Sequence, residues 1–211
     1  MVYLTQDNWF PDPDTASEDG LLAIGGDLNP DRLLLAYSKG IFPWFMKGRN
    51  IYWYSPANRM VLFSKEIHVG ERMERTLRSK QFAVTVNQNF KEVIHLCAET
   101  HFKKHKDTWI TAEFIEAYII LHQLGHARSI EIWHKEKLVG GIYGVITGKL
   151  FCGESMFSIM SNASKAAIIY LCRRENYMAI DCQVPSHHLS SLGARIITRA
   201  KFEQLLMNAT K

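Results

Sequence analysis

The 211 residues suffice for one sizeable domain or two small ones, since domains usually run ~100–200 residues. With 47% hydrophobic and 22% charged residues the chain lies in the ordinary globular range, which excludes wholesale disorder and a disulfide-stapled miniature, while a net charge of +4 is too mild to establish a polyanionic partner by itself. No apolar run reaches the ~20 residues of a bilayer-spanning helix, and Met1–Gln6 carries no basic segment leading into a hydrophobic one, so neither membrane insertion nor export is expected.

Residues 7–30 are rich in Asp, Pro and Gly and read as an extended segment with little regular structure. Asn29-Pro30 resembles an N-cap with proline at the first helical position, and Gly40 ends the apolar stretch Leu33, Leu34, Ala36, Tyr37, which gives one short helix. An aromatic block follows, Phe42, Trp44, Phe45, Tyr52, Trp53 and Tyr54, readable as a small core or a stacking surface. The pattern changes near residues 57–60, dividing the chain into a small N-terminal domain, 1–58, and a larger one, 59–211. Helices are expected at Glu66–Ser79, Asn89–Thr100, Ala112–Leu124, Asn162–Tyr177 and Arg199–Met207. Strands Ala127–His134, Lys137–Ile146 and Lys149–Phe157 are joined by short turns, as in an antiparallel meander. The fold class is therefore α+β, a mostly antiparallel sheet flanked by helices.

Alternation along Lys149–Phe157 puts Leu150, Cys152, Glu154 and Met156 on one face and Phe151, Gly153, Ser155 and Phe157 on the other. Glu154 then sits among apolar neighbours, where a carboxylate must be paired, hydrogen-bonded or protonated; a structural ion pair and a functional role are equally open. Gly140, Gly141 and Gly144 on the preceding strand mark a bulge or the close approach of a ligand. Asp181 and Gln183, two apart in the run Ala179–Val184, project to one face. Cys97, Cys152, Cys172 and Cys182 form no Cys-x-x-Cys pair, which fits reduced thiols in a cytoplasmic protein without a zinc finger. His122 and His126 have zinc-protease spacing but Gln123 replaces the required glutamate, so they read as a helix end and no metal is expected. The His187-His188 pair reads as a cap or loop. Arg72, Arg75 and Arg78, with Lys80, form a basic stripe, which interleaved Glu71 and Glu74 would turn into a solvated face with intrahelical ion pairs. A second basic group, His101, Lys103, Lys104, His105 and Lys106, precedes Trp109, and phosphates would suit either patch.

Several segments, in order, carry a family resemblance: Gly25-Gly26-Asp27-Leu28, Gly40-Ile41-Phe42-Pro43-Trp44-Phe45, Trp53-Tyr54-Ser55-Pro56, Thr108-Trp109-Ile110-Thr111, Gly140-Gly141-Ile142-Tyr143-Gly144, Phe151-Cys152-Gly153-Glu154-Ser155-Met156-Phe157-Ser158, Asn162-Ala163-Ser164-Lys165 and Ile180-Asp181-Cys182-Gln183. Together they resemble bacterial leucyl/phenylalanyl-tRNA–protein transferases over nearly the whole chain. The resemblance implies transfer of Leu or Phe, and of Met in some cases, from the acceptor end of aminoacyl-tRNA to proteins beginning with Arg or Lys, marking them for N-end-rule degradation. It also implies a GCN5-related N-acetyltransferase-like larger domain and no cofactor, because the ester already carries the energy; a monomer without a membrane partner is the default expectation. By position it implies Glu154, Asp181 and Gln183 as catalytic residues. Ile142, Phe151, Gly153, Met156 and Ile180 would line the aminoacyl pocket, Ile142 standing where relatives carry Met. Trp44, Trp109 and Tyr118 would line the adenosine cleft. Arg72, Arg75, Arg78 and Lys80 would contact tRNA, Arg75 and Arg78 matching in place.

Two other functions fit the expected fold. An acyl-CoA-dependent N-acyltransferase is the commoner use of such a domain, but the sequence before Asn162 lacks an Arg/Gln-x-x-Gly-x-Gly/Ala pyrophosphate loop. A non-catalytic RNA-binding protein would use the basic stripe and the tryptophans but leaves Glu154, Asp181 and Gln183 unexplained.

Overall fold

The computed structural model describes residues 2–211. Strand β1 (Val2–Leu4) pairs in parallel with β2 (Leu21–Gly25), which pairs antiparallel with β4 (Asn50–Tyr54), and β4 with β3 (Phe42–Lys47); this four-stranded sheet carries α1 (Pro30–Ser38). The aromatic block is the β3–β4 hairpin. Segment 7–30 is more ordered than its composition suggests: it holds a 3₁₀ turn at Pro13–Thr15 and, in β2, a strand paired on both sides. The apolar run Leu21–Ile24 lacks a period and is flanked by turn residues, so only its partners define it.

The second sheet has seven strands. Its middle is built from β5 (Asn58–Phe63), β10 (Ala179–Gln183), β9 (Leu150–Ser158), β8 (Lys137–Thr147) and β7 (Ala127–His134), with β11 (Arg195–Thr198) beside β5 and β6 (Ala83–Val86) beside β7 at the edges. Every pairing is antiparallel except β9 with β10. Helices cover both faces. On one, α3 (Phe90–His105), α4 (Ala112–Gln123) and α7 (Arg199–Ala209) bury Phe90, Val93, Phe114, Tyr118, Leu121 and Phe202 in a cluster that continues without a break to Trp53 of the first sheet and to Phe10 of the segment that follows β1. On the other, α2 (Glu71–Arg78), α5 (Ala163–Arg174) and the short α6 (His187–Ser190) contribute Met73, Ala166, Ile168 and Leu189 to a second cluster. No helix among the described residues is long and apolar enough to cross a membrane.

Helix boundaries depart from the expected ones for local reasons. Helix α2 begins at Glu71 rather than Glu66, because residues 64–66 form a 3₁₀ turn, Ile67 is extended, and the His68 N–H is committed to Leu192 O at 2.9 Å. Helix α3 runs on to His105 and stops where Lys106 turns left-handed (φ 61°). Helix α5 ends at Arg174, since Glu175 turns extended to pair with Arg128 at 2.6 Å and Tyr177 folds in against the Phe151 ring. The His187-His188 pair lies in α6, not in a loop.

Two strand glycines bring layers together. A Cβ at Gly140 would collide with Ala163 of α5, and one at Gly144 with the Cys152 carbonyl and the Phe151 ring, so neither α5 nor β9 could sit where it does against a larger residue. Gly144→Ala is expected to cost ~1–3 kcal/mol or more, as overpacking does, read as a lowered urea midpoint at unchanged m-value.

Candidate active site

Strands β9 and β10 pair at only three positions, Leu150 with Ala179, Phe151 with Ile180 and Cys152 with Asp181. Just past the last pair both strands bulge. Strand β9 slips against β8, leaving Glu154 unmatched between Gly153 and Ser155, and β10 slips against β5, leaving Cys182 unmatched between Asp181 and Gln183. A surplus residue bends its strand and disrupts the ladder, so the two strands part, and the cleft opens between them. Gln183, at the end of the bulge, adopts φ 61°, a left-handed conformation that non-glycine residues seldom accept.

The β9 bulge also overturns strict alternation along that strand. Leu150, Cys152 and Phe157 belong to one hydrophobic cluster, whereas Phe151 and Met156 pack in the other. Glu154 therefore faces Tyr118, away from Met156, with which simple alternation grouped it.

Glu154 is 9% exposed and meets no cation within ion-pair distance among the described residues. Tyr118 Oη donates to its Oε2 at 3.0 Å and Gln183 Nε2 to its Oε1 at 2.8 Å. Since the Tyr118 proton goes to Glu154, the 2.5 Å contact between Tyr37 and Tyr118 hydroxyls is one in which Tyr37 donates. Burial drives the Glu154 pKa from 4.5 to about 7, the Tyr37 and Tyr118 hydroxyls pull against it, and the Asp181 charge adds to the rise.

Asp181 is fully buried, and its two oxygens accept from Arg59 Nε at 2.8 Å and Arg59 Nη2 at 2.7 Å. Asp181 Oδ1 also accepts the Gln183 backbone N–H at 2.9 Å, so the carboxylate anchors the bulge that presents Gln183. Arg59 in turn donates to Gly40 O at 3.1 Å and lies between the Phe42 and Phe202 rings, its guanidinium carbon 4.6 Å from each centroid. Arg59 belongs to no motif in the sequence, although alternation with the buried Val61 places it on an inward face.

Between the parted strands lies a cavity of about 220 Å³, below the ~300–1,000 Å³ typical of drug-sized ligands and suited to a smaller guest. Of the expected site residues, Glu154, Asp181, Gln183, Ile142, Gly153, Met156, Ile180, Trp44 and Trp109 all border it. Phe151 and Tyr118 do not: both are fully buried, Phe151 beneath the floor against Tyr177 and Tyr118 behind Glu154. Ile168 and Leu189, from α5 and α6, complete the apolar wall; as ordinary core-type residues on helices they carry no signal in the sequence. Cys182 also borders the cavity, yet burial pushes its thiol well above its usual pKa.

The basic stripe lies elsewhere. Arg72, Arg75, Arg78 and Lys80 are all exposed on or just after α2. Glu74 makes its ion pair with Arg173 of α5 at 2.5 Å, while the Arg78 charge within the helix also favours its ionised form. His122, in the last turn of α4, stacks on Phe90 and bonds Ala127 O at 2.9 Å.

Residues 61–207 match the family described as leucyl/phenylalanyl-tRNA protein transferase, and residues 26–57 match its N-terminal domain. The chain belongs to this family. It is 52% identical over 209 residues to the leucyl/phenylalanyl-tRNA–protein transferase of Flavobacterium johnsoniae, covering 98% of this chain and 99% of that one. To the protein of the same name from Syntrophus aciditrophicus it is 50% identical over 205 residues, covering 96% and 86%. Among solved structures, FemX aligns at 10% identity and a TM-score of 0.49 over 83% of this chain and 70% of that one. As a leucyl/phenylalanyl-tRNA–protein transferase the chain is an aminoacyltransferase, and the cavity between β9 and β10 is its candidate active site.

A raised carboxyl pKa means that the native state holds a proton the unfolded chain releases. The stabilisation is fully present below about pH 4.5 and is lost as pH rises through about 7. Glu154→Gln is therefore expected to remove a decline in unfolding free energy on the order of 3 kcal/mol between those limits, measured by urea titrations at a series of pH values.

Proposed function

We propose that this aminoacyltransferase moves Leu or Phe, and Met less readily, from aminoacyl-tRNA to the α-amine of proteins beginning with Arg or Lys, and so prepares them for N-end-rule degradation. Transfer from aminoacyl-tRNA to protein is the activity its family supports. The setting is the cytoplasm, the working unit a monomer, and the larger unit a GCN5-related N-acetyltransferase-like framework.

The observation that carries the reading is a side-chain-sized apolar cavity with Glu154 and Gln183 at its edge. The transferred side chain enters between Ile142, Met156, Ile168 and Ile180, and Trp44 and Trp109 flank the terminal adenosine. With its amide nitrogen held by Glu154, Gln183 turns its carbonyl oxygen to the attacking amine. The C–N bond forms, the ester C–O bond breaks, and the amine's proton passes to the departing ribose hydroxyl. An α-amine of pKa ~7.7–8.0 needs no strong base. Glu154, with a pKa of about 7, can hold that proton in transit, because a group titrating near working pH both takes and returns it. Asp181, closed off by Arg59, positions Gln183 and does not touch substrate. Orientation supplies the larger share of the acceleration, since well-placed reactants reach effective molarities on the order of 10⁵–10⁸ M.

The decisive assay gives the protein Leu- or Phe-charged tRNA and an Arg-starting peptide. The peptide gains one residue in mass, and ribonuclease pretreatment abolishes the gain; an unaltered mass overturns the proposal. Gln183→Ala lowers kcat ~10²-fold or more, with little change in KM for either substrate. Raising salt weakens aminoacyl-tRNA binding, and Arg75→Ala with Arg78→Ala flattens that dependence by ~1 for each phosphate set free, on a log–log plot.

A further inference from the structure

The active cavity continues along the Ser155–Met156 edge into a second depression of about 410 Å³, the two sharing Ser155, Met156 and Ser186. The side groove is lined by His101 and Lys104 of α3, Ser158 of β9, Ser164 of α5 and His188 of α6, and by no carboxylate. On the other side of α6, Lys165 of α5 and Arg72 of α2 border a third depression. Lys165 stands close enough to His188 that its charge adds to the effect of burial in holding the imidazole below its usual pKa. Arg72, Lys165 and Lys104 make no ion pair among the described residues, whereas the adjacent Lys103 pairs with Glu99 at 3.4 Å. Cations without an ion pair thus run from the exposed stripe on α2, past α6, to the rim of the cavity, and Glu71 is the carboxylate that shares the third depression with Arg72 and Lys165.

We infer that this track holds the phosphates of the donor's single-stranded 3′ end, with Lys104 and Lys165 as its counter-ions, so that the stem on α2 is joined to the ester in the cavity. The inference rests on the proposed function and extends it. A phosphodiester chain brings one negative charge per nucleotide and accepts hydrogen bonds from hydroxyls such as those of Ser155, Ser158 and Ser164. The acceptor is the wrong partner for this side, because a polypeptide beginning with Arg or Lys carries positive charge at the end that must reach Gln183, and Lys104 would repel it. The second basic group thereby has a purpose distinct from that of α2.

The test compares two donors, phenylalanyl-tRNA and phenylalanyl-adenosine, which bears no phosphate. Lys104 is exposed, so Lys104→Ala leaves the core untouched, and Lys104→Glu reverses the charge without shortening the side chain to a methyl. With phenylalanyl-tRNA, the log–log salt slope of 1/KM falls by ~0.7 for each phosphate left without its cation, about twice that when Lys165→Ala is added, and Lys104→Glu raises KM further than Lys104→Ala. With phenylalanyl-adenosine, KM moves less than twofold. An unchanged slope overturns the inference, as does an equal loss with both donors, or a KM change confined to the acceptor peptide, which would make the groove a peptide site. Wild-type protein that transfers from neither donor would instead refute the proposed function, so the two failures are separable.

Discussion

A guanidinium and a carboxylate that have both given up water hold the active region in register. Arg59 and Asp181 are 2% and 0% exposed, and the pair is bidentate. Burying such a pair adds little net stability, because desolvation offsets most of the attraction, but leaving either partner alone is strongly unfavourable. Its value here is geometric. From one end it draws in Gly40 of the α1–β3 turn, Phe42 of the first sheet and Phe202 of α7; from the other it fixes the backbone of Gln183. The angle at which Gln183 meets substrate is thereby tied to residues from three separate parts of the chain.

The cleft itself comes from a fault in the sheet. Two neighbouring strands each accept a surplus residue at the same level, and the ladder between them stops there. The left-handed backbone at Gln183 is an unfavourable local conformation, of order 1–3 kcal/mol for a non-glycine residue, tolerated because Asp181 and Glu154 grip both its backbone and its side chain. Where the ladder stops, Ile142 and Ile180 of the sheet and Ile168 and Leu189 of the covering helices form the apolar wall of the cavity.

Much of the larger sheet is legible in the sequence, because β7, β8 and β9 carry strand-length runs joined by short turns, and α4 and α7 fall close to the expected ranges. Strand β2 is not, since its definition lies in its neighbours and not in its own period. The glycines at 140, 141 and 144 hint at a bulge, but which residue of β9 is surplus depends on the ladder to β8, and so alternation assigns Met156 to the wrong face. Polar groups in the strands mark most of the cavity's edge. The buried supports behind it, Tyr37 and Arg59, stay hidden because a tyrosine in an apolar helical stripe and an arginine at a strand start look like ordinary surface or core residues until their partners from distant segments are in place.

Cys182 sits on the cavity wall, where a reactive thiol would be an obvious handle for covalent inhibitors. Burial raises its pKa and so disfavours the thiolate, the form with which alkylating electrophiles react. Warheads such as chloroacetamides should therefore find a poor nucleophile there, and compounds aimed at this centre will have to gain their affinity from shape and from the amide of Gln183.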